Sequence, residues 1–413
     1  MKEKFQQLYK GGMIGLKYRE MTPQKILSRD FILCFFGNFA FQSVFAILVP
    51  TIPIYLSRFE AKGAEIGFLI GIFSLSSLIL RPIVGRGLSN FSERNFMIAG
   101  ALLCVFSSIA YLLARPFWPF SVVRIFHGIG LALFTTAIYT LVANITPEMH
   151  RGQLISYFYL AGNMAFAIGP YFGMLIVNRF NFVVLFSVCT GISLCSLFIA
   201  INLDKRKVIP LENQPLRIQT LLSHEALPSS IIAFMLNIIW GTLCAFFPLH
   251  ALRHGVSNPG IFFLFLAITL ILGRTLGGKI LDVYDRKKLL IPCLTAIIIS
   301  LAILTFSTTL PMFILVAVVL GTGSALLYPS LLIYAIESAG SARGPAMATF
   351  TGLADLGAGI GPMIMGIILQ WTNYPTMFFC LTLIGVTNFL YFYYAIGKKR
   401  EAVDQMRVES LTE

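Results

Sequence analysis

One carboxylate, Asp355, stands inside a strongly apolar stretch at 346–370, and one guanidinium, Arg124, inside another at 117–145. The chain has 18 acidic residues, and the other 17 fall in tails, loops or the ends of apolar runs, so Asp355 is set apart by its position. An uncompensated charge in a hydrocarbon setting is costly and is expected to face protein or a hydrated cavity and to serve a pathway. A carboxylate placed there can carry a proton; its plain alternative is a packing hydrogen bond. Arg124 can meet an anion or tie itself to carbonyl oxygens. His127, one turn further on, belongs to the residue type that titrates near neutrality. It joins Asp355 and Arg124 as a proton-coupling candidate, with a hydrogen-bonded spectator as the alternative. At ~1.5 Å per helical residue in a core of ~30 Å, Arg124 and Asp355 differ in depth by roughly 8 Å. Water or a ligand is therefore expected between them.

The elements that must hold these residues follow from composition. Of 413 residues, 57% are hydrophobic and 12% are charged, and mean hydropathy is +0.81, whereas soluble domains carry roughly 25% charged residues. An ordinary soluble enzyme is excluded. Apolar runs lie at roughly 31–57, 64–88, 96–114, 117–145, 152–177, 182–202, 227–251, 260–280, 288–309, 312–337, 346–370 and 375–396. Most reach the length that crosses a bilayer as a helix, and they lack the alternation of barrel strands. The reading is an all-α membrane protein with twelve transmembrane helices, called spans 1 to 12 in that order. No cleaved signal is expected, because the first run is longer than a signal-peptide core. Of the 31 Lys and Arg residues, 25 fall in or beside the tails and the even-to-odd loops, five fall in the opposite loops, and Arg124 is the remaining one. The positive-inside rule then places both termini in the cytoplasm. Topology accounts for the net charge of +13, and no nucleic-acid partner is implied.

The longest polar interval between spans divides the chain six and six. The expected organisation is a cytoplasmic N-terminal tail at 1–30, a six-helix half at 31–202, a cytoplasmic linker at 203–226, a second half at 227–396 and a cytoplasmic tail at 397–413. The halves repeat at an offset of 192–193: Arg81 and Gly85 match Arg274 and Gly278, and Gly128 and Gly130 match Gly321 and Gly323. Arg151-Gly152 followed by Gly169-Pro170 matches Arg343-Gly344 followed by Gly361-Pro362. Paired glycines let membrane helices approach closely, and a proline opens the helical hydrogen-bond ladder. What both copies keep is read as hinge or packing: Gly128, Gly130, Gly169, Pro170, Gly321, Gly323, Gly361 and Pro362. What they do not share is more telling, for Arg124 matches Ala317 and Asp355 matches Asn163.

These residues resemble the major facilitator superfamily of secondary transporters, and within it the twelve-helix drug–proton antiporter-like branch. The loop signature of that family appears as Gly278-Lys-Ile-Leu-Asp282-Val-Tyr-Asp285-Arg286-Lys287 in the second half. In the first half it is eroded to Gly85-Arg-Gly-Leu-Ser89-Asn90-Phe-Ser92-Glu93-Arg94, without the Asp. The fourth-helix signature stands as Arg124-Ile-Phe-His127-Gly128-Ile-Gly130, and a fifth-helix signature as Gly169-Pro170-Tyr-Phe-Gly173. The resemblance implies a fold of two pseudo-symmetric six-helix halves with a substrate site near the midplane between them. It implies a coupling role for Arg124 and a cytoplasmic gate or latch formed by Arg81, Gly85, Arg274, Gly278, Asp282 and Arg286. Spans 1, 4, 7 and 10 are the cavity-lining helices of the family. With Asn163 as the polar counterpart of Asp355, the substrate-cavity candidates are Asn38, Gln42, Tyr139, Asn163, Asn237, Trp240 and Tyr328.

The functional expectation is a proton-coupled exporter, an antiporter, of a small organic molecule working by alternating access in the bacterial cytoplasmic (inner) membrane. The alternatives are a proton-coupled symporter importing a nutrient such as a carboxylate or sugar, or a non-transporting receptor or scaffold on the same fold. No nucleophile–base pair, metal-ligand cluster or phosphate loop appears, and the seven cysteines sit in apolar runs without paired spacing. No enzyme activity, cofactor or metal is expected. The expected partners are the lipid bilayer, a small-molecule substrate and protons, and the expected state is a monomer.

Overall fold

The computed structural model describes residues 28–88, 90–114, 117–146, 151–204, 223–283, 286–339 and 343–397. The side chains at 151–153, 156, 277–283, 286–289, 343–344 and 395–397 are excepted. The tails, most of the linker and Ser89 therefore lie outside the described residues, and so do the side chains of the latch residues Asp282 and Arg286. Twelve α-helices lie among the described residues: α1 Arg29–Ser57, α2 Gly63–Gly87, α3 Glu93–Leu113, α4 Trp118–Ile145, α5 Arg151–Arg179, α6 Phe182–Ile201, α7 Leu227–Arg253, α8 Gly260–Val283, α9 Arg286–Phe306, α10 Leu310–Ser338, α11 Arg343–Trp371 and α12 Tyr374–Tyr391. Each falls on one of the apolar runs read from sequence, with ends shifted by a few residues. Among the described residues, ten helices are long and apolar enough to cross a membrane; the described apolar stretches Gly260–Leu276 and Leu290–Phe306 are shorter. Helix starts follow ordinary capping chemistry: Ser28, Asn181 and Asn373 accept the N–H of Phe31, Val184 and Thr376, satisfying donors that have no partner inside the helix.

The two halves pack by one rule. In the first, α1 meets α5 and α6, α4 meets α2 and α3, and α3 meets α6; in the second, α7 meets α11 and α12, α10 meets α8 and α9, and α9 meets α12. The halves join through α2 against α11 and α5 against α8, which are equivalent pairs under the six-helix shift. The repeated glycines fall at equivalent contacts. A Cβ on Gly130 would stand 3.0 Å from the Gly100 carbonyl oxygen of α3, and one on Gly323 would stand 2.7 Å from the Cys293 carbonyl oxygen of α9. Gly128 and Gly321 face α2 and α8, while Gly169 and Gly361 face α1 and α7. The sequence reading missed a further pair at the same offset. Gly67 presses on the Pro362 carbonyl across one half-interface, and Gly260 presses on the Pro170 carbonyl across the other. The retained prolines thus lie where the halves touch.

Along α2 and α11, the close approaches between the halves lie toward one end. A Cβ on Gly63 would lie 2.7 Å from the Gly366 carbonyl oxygen, whereas further along the same helix pair one on Gly352 finds only a Leu78 methyl at 3.9 Å, and one on Gly85 meets nothing within 4 Å. Asn178 and Asn258 clamp the second interface at the tight end through the Ser257 and Tyr171 carbonyls. This asymmetry gives one substitution opposite signs. Gly85→Ala is expected to stabilise by up to about 1 kcal/mol through reduced chain entropy. Gly67→Ala should destabilise by about 1–3 kcal/mol because the added methyl meets a carbonyl that cannot yield. Thermal unfolding of the two purified variants checks this, and equal shifts would contradict the packing described.

Candidate functional site

Two cavities adjoin, one between the halves and one within the second half. One, of ≈ 260 Å³, is lined by Asn38, Gln42, Tyr139 and Asn163 of the first half, with Tyr159, Gly162 and Phe166 beside them, and by α7 and α8 of the second. The other, of ≈ 230 Å³, is lined by Asn237, Trp240, Arg274, Ser324 and Tyr328 among apolar side chains. Trp240, Leu266 and Leu270 belong to both walls. All seven substrate-cavity candidates read from sequence therefore line one or other of these adjoining cavities, together called the cleft. Asn38 is 1% exposed, yet its Oδ1 has no protein hydrogen-bond partner, and neither has Gln42 Oε1. Unpartnered buried polar atoms on a cavity wall are free to meet a ligand or water. Tyr159, Gly162 and Ser324 were missed by the sequence reading. Tyr159 lies four residues before Asn163, and Ser324 lies four before Tyr328, a helical spacing that puts each pair on one face.

Asp355 does not stand opposite Arg124 with water between them. It pairs with Arg81, whose Nη1 lies 2.6 Å from Asp355 Oδ2. This is a close ionic contact without hydrogen-bond alignment, since neither Asp355 Oδ2 nor Arg81 Nε has a hydrogen-bond partner. Both side chains are about a third exposed, at 35% and 31%. The pair joins α2 of one half to α11 of the other. Tyr139, on the wall of one cavity, and Tyr328, on the wall of the other, both lie within electrostatic range of its two charges. Arg81 and Arg274, counted from sequence with loop charges and assigned to a gate, thus reach the cleft region. The reason is geometric: helical side chains lean toward the N-terminus, so a long arginine near the end of α2 or α8 points back into the interior.

Arg124 is 3% exposed, and its guanidinium is held by groups of the first half. Its Nε donates to the Leu69 carbonyl at 2.9 Å, its Nη1 reaches the Tyr111 hydroxyl at 3.5 Å, and its Cζ lies 4.3 Å over the Phe73 ring. A helical carbonyl keeps a second lone pair for such a donor. Arg124 also borders a small cavity of ≈ 70 Å³ behind Trp240. His127 is 2% exposed and is absent from both cleft walls; its Nδ1 shares a 2.9 Å hydrogen bond with the Tyr111 hydroxyl, and its Nε2 lies 3.7 Å from Cys104 Sγ. Tyr111 is therefore the joint between His127 and Arg124. Tyr111→Phe is expected to cost about 1–3 kcal/mol, because two buried groups lose a partner, while leaving ligand binding in the cleft unchanged. Thermal unfolding and a binding titration on the same sample check both parts.

The description of the matching family model is Major Facilitator Superfamily, and it covers residues 34–284 and 230–409. The chain belongs to the Major Facilitator Superfamily. It is a multi-pass membrane transporter and not an enzyme. It is similar to the staphylopine export protein of Staphylococcus aureus, 24% identical over 367 residues that cover 84% of this chain and 91% of that protein. It is also similar to multidrug resistance protein 2 of Bacillus subtilis, 24% identical over 351 residues that cover 80% of this chain and 87% of that protein. Among solved structures, the nucleoside transporter NupG superposes with a TM-score of 0.75 at 14% identity, over 90% of this chain and 100% of that one. That likeness extends to the fold.

Proposed function

We propose that this transporter is a proton-coupled exporter of a small organic molecule, working as a monomer by alternating access, with twelve membrane-crossing helices and both termini in the cytoplasm. The observation that carries the reading is the Arg81–Asp355 ion pair across the half-interface, beside the central cleft. With Asp355 ionised, the pair ties α2 to α11 on the loosely packed side of the interface and so adds to the tight end, which the proposed topology places outside; the cleft then serves the cytoplasmic side. A proton on Asp355 removes the attraction and leaves Arg81 without a counter-charge. A substrate whose bulk in the cleft parts Arg81 from Asp355 has the same effect. The empty, deprotonated protein is held, and either ligand releases it, which is the logic of exchange. Export is favoured over import by the relatives named for export and drug resistance.

The proposal is tested in proteoliposomes with an imposed pH gradient, by following luminal pH as candidate organic solutes are added. Solute-dependent proton movement that is lost in Asp355→Asn supports it. Solute movement indifferent to the gradient, or unaltered by Asp355→Asn, contradicts it.

A further inference from the structure

The half-interfaces of this protein pair equivalent helices and are unequal in charge. At one, Arg81 of α2 meets Asp355 of α11. The repeat carries Arg81 onto Arg274 of α8 and Asp355 onto Asn163 of α5. Asn163 and Arg274 line the two adjoining cavities, and α5 and α8 are in contact. The equivalent positions thus keep the cation of the pair and replace its carboxylate by a neutral amide. Arg81–Asp355 and the surface pair Arg29–Asp204 are ion pairs between described side chains, and neither involves Arg274. The phenol of Tyr328 is the polar group in electrostatic range of Arg274, and it cannot neutralise the guanidinium.

Arg274 is a solvent-accessible side chain on a cavity whose other lining is largely apolar, and a planar fork of donors matches a carboxylate bidentately. Resting on the reading of the cleft as a transport site, we propose that the substrate is a small organic anion whose carboxylate meets Arg274, standing in for the carboxylate that Asn163 lacks. The remainder of the substrate is apolar or aromatic. It packs on Trp240 and the leucines of the shared wall, while Asn38 and Gln42, whose side-chain oxygens are unpartnered, accept hydrogen bonds from its polar substituents. Arg81 is already neutralised by Asp355, so the cleft carries one positive charge in excess and disfavours organic cations.

The test is equilibrium binding to the full-length protein in nanodiscs at neutral pH without a gradient, read by the fluorescence of Trp240 after Trp118→Phe and Trp371→Phe. Three probes of matched size are used: phenylacetate, phenethylamine and phenylethanol. Phenylacetate is expected to bind at least about tenfold more tightly than the other two, as a charge-assisted bidentate contact implies. Arg274→Gln should remove that preference, and Arg274→Lys should keep it at reduced affinity. Asn163→Asp should remove it by supplying Arg274 with an internal partner, and should raise thermal stability, which distinguishes pairing from misfolding. Equal or tighter binding of the amine, no binding of phenylacetate, or an anion preference that survives Arg274→Gln overturns the proposal. Because no proton gradient is applied, the anion preference can fail while Asp355-dependent proton movement stands, and the reverse.

Discussion

Asp355→Asn should lower gradient-driven, solute-dependent proton movement to the level of protein-free liposomes while leaving ligand binding in the cleft within a few-fold of wild type. The asparagine keeps the size and polarity of the side chain but can neither ionise nor attract Arg81. The stability cost separates coupling from collapse. Breaking a fully buried ion pair by removing one partner costs about 3–5 kcal/mol, but here both groups are about a third exposed, and solvent screening brings the cost below that range. Arg81→Ala should cost a comparable amount, and the Arg81→Ala/Asp355→Ala double variant should cost less than the two single changes together, by about 0.5–3 kcal/mol. Exchange of the residues, Arg81→Asp with Asp355→Arg, should recover most of the stability. A double-mutant cycle from thermal unfolding checks these values. Strict additivity would mean that the contact contributes nothing.

Arg124→Gln should destabilise the protein strongly, by about 3–5 kcal/mol, through loss of a charged hydrogen bond and a desolvated cation–π contact. The wild-type guanidinium bridges the Leu69 carbonyl of α2, the Tyr111 hydroxyl of α3 and the Phe73 ring, so its removal loosens α2, α3 and α4 together. Arg124→Lys should recover only part of the loss, since an ammonium cannot present the same planar fork. In material that remains folded, the pH dependence of proton movement should match wild type. A shifted pH profile with unaltered stability would return Arg124 to the coupling machinery.

The helices were legible because hydrophobic run length is set by the membrane, and the duplication was legible because glycine contacts tolerate no Cβ. The cleft was legible as a set of polar residues on apolar helices: Asn38, Gln42, Tyr139, Asn163, Asn237, Trp240 and Tyr328 all lie on its walls. The partner of Asp355 was not legible. Depth counting compares backbone positions. Arg81 stands six residues from the end of α2 and Asp355 twelve from the start of α11, a gap of roughly 9 Å at ~1.5 Å per residue. An arginine leaning toward its helix N-terminus closes most of that gap. Nor could sequence show that Arg124 is occupied by Leu69, Tyr111 and Phe73, because carbonyl acceptors and ring faces carry no signature in the chain. The mismatch of Asp355 with Asn163 was visible from the outset, but its consequence for Arg274 appears only once α5 and α8 are seen to repeat the contact of α2 and α11.

The distance between spin labels at positions 59 and 371, on opposite halves at the tight end, measures most directly whether a proton on Asp355 unties the halves. In wild type, falling pH should move the distribution from a short to a long separation, and Asp355→Asn should show the long separation already at neutral pH with no further response. A wild-type distribution indifferent to pH, or a pH response retained in Asp355→Asn, would contradict the account.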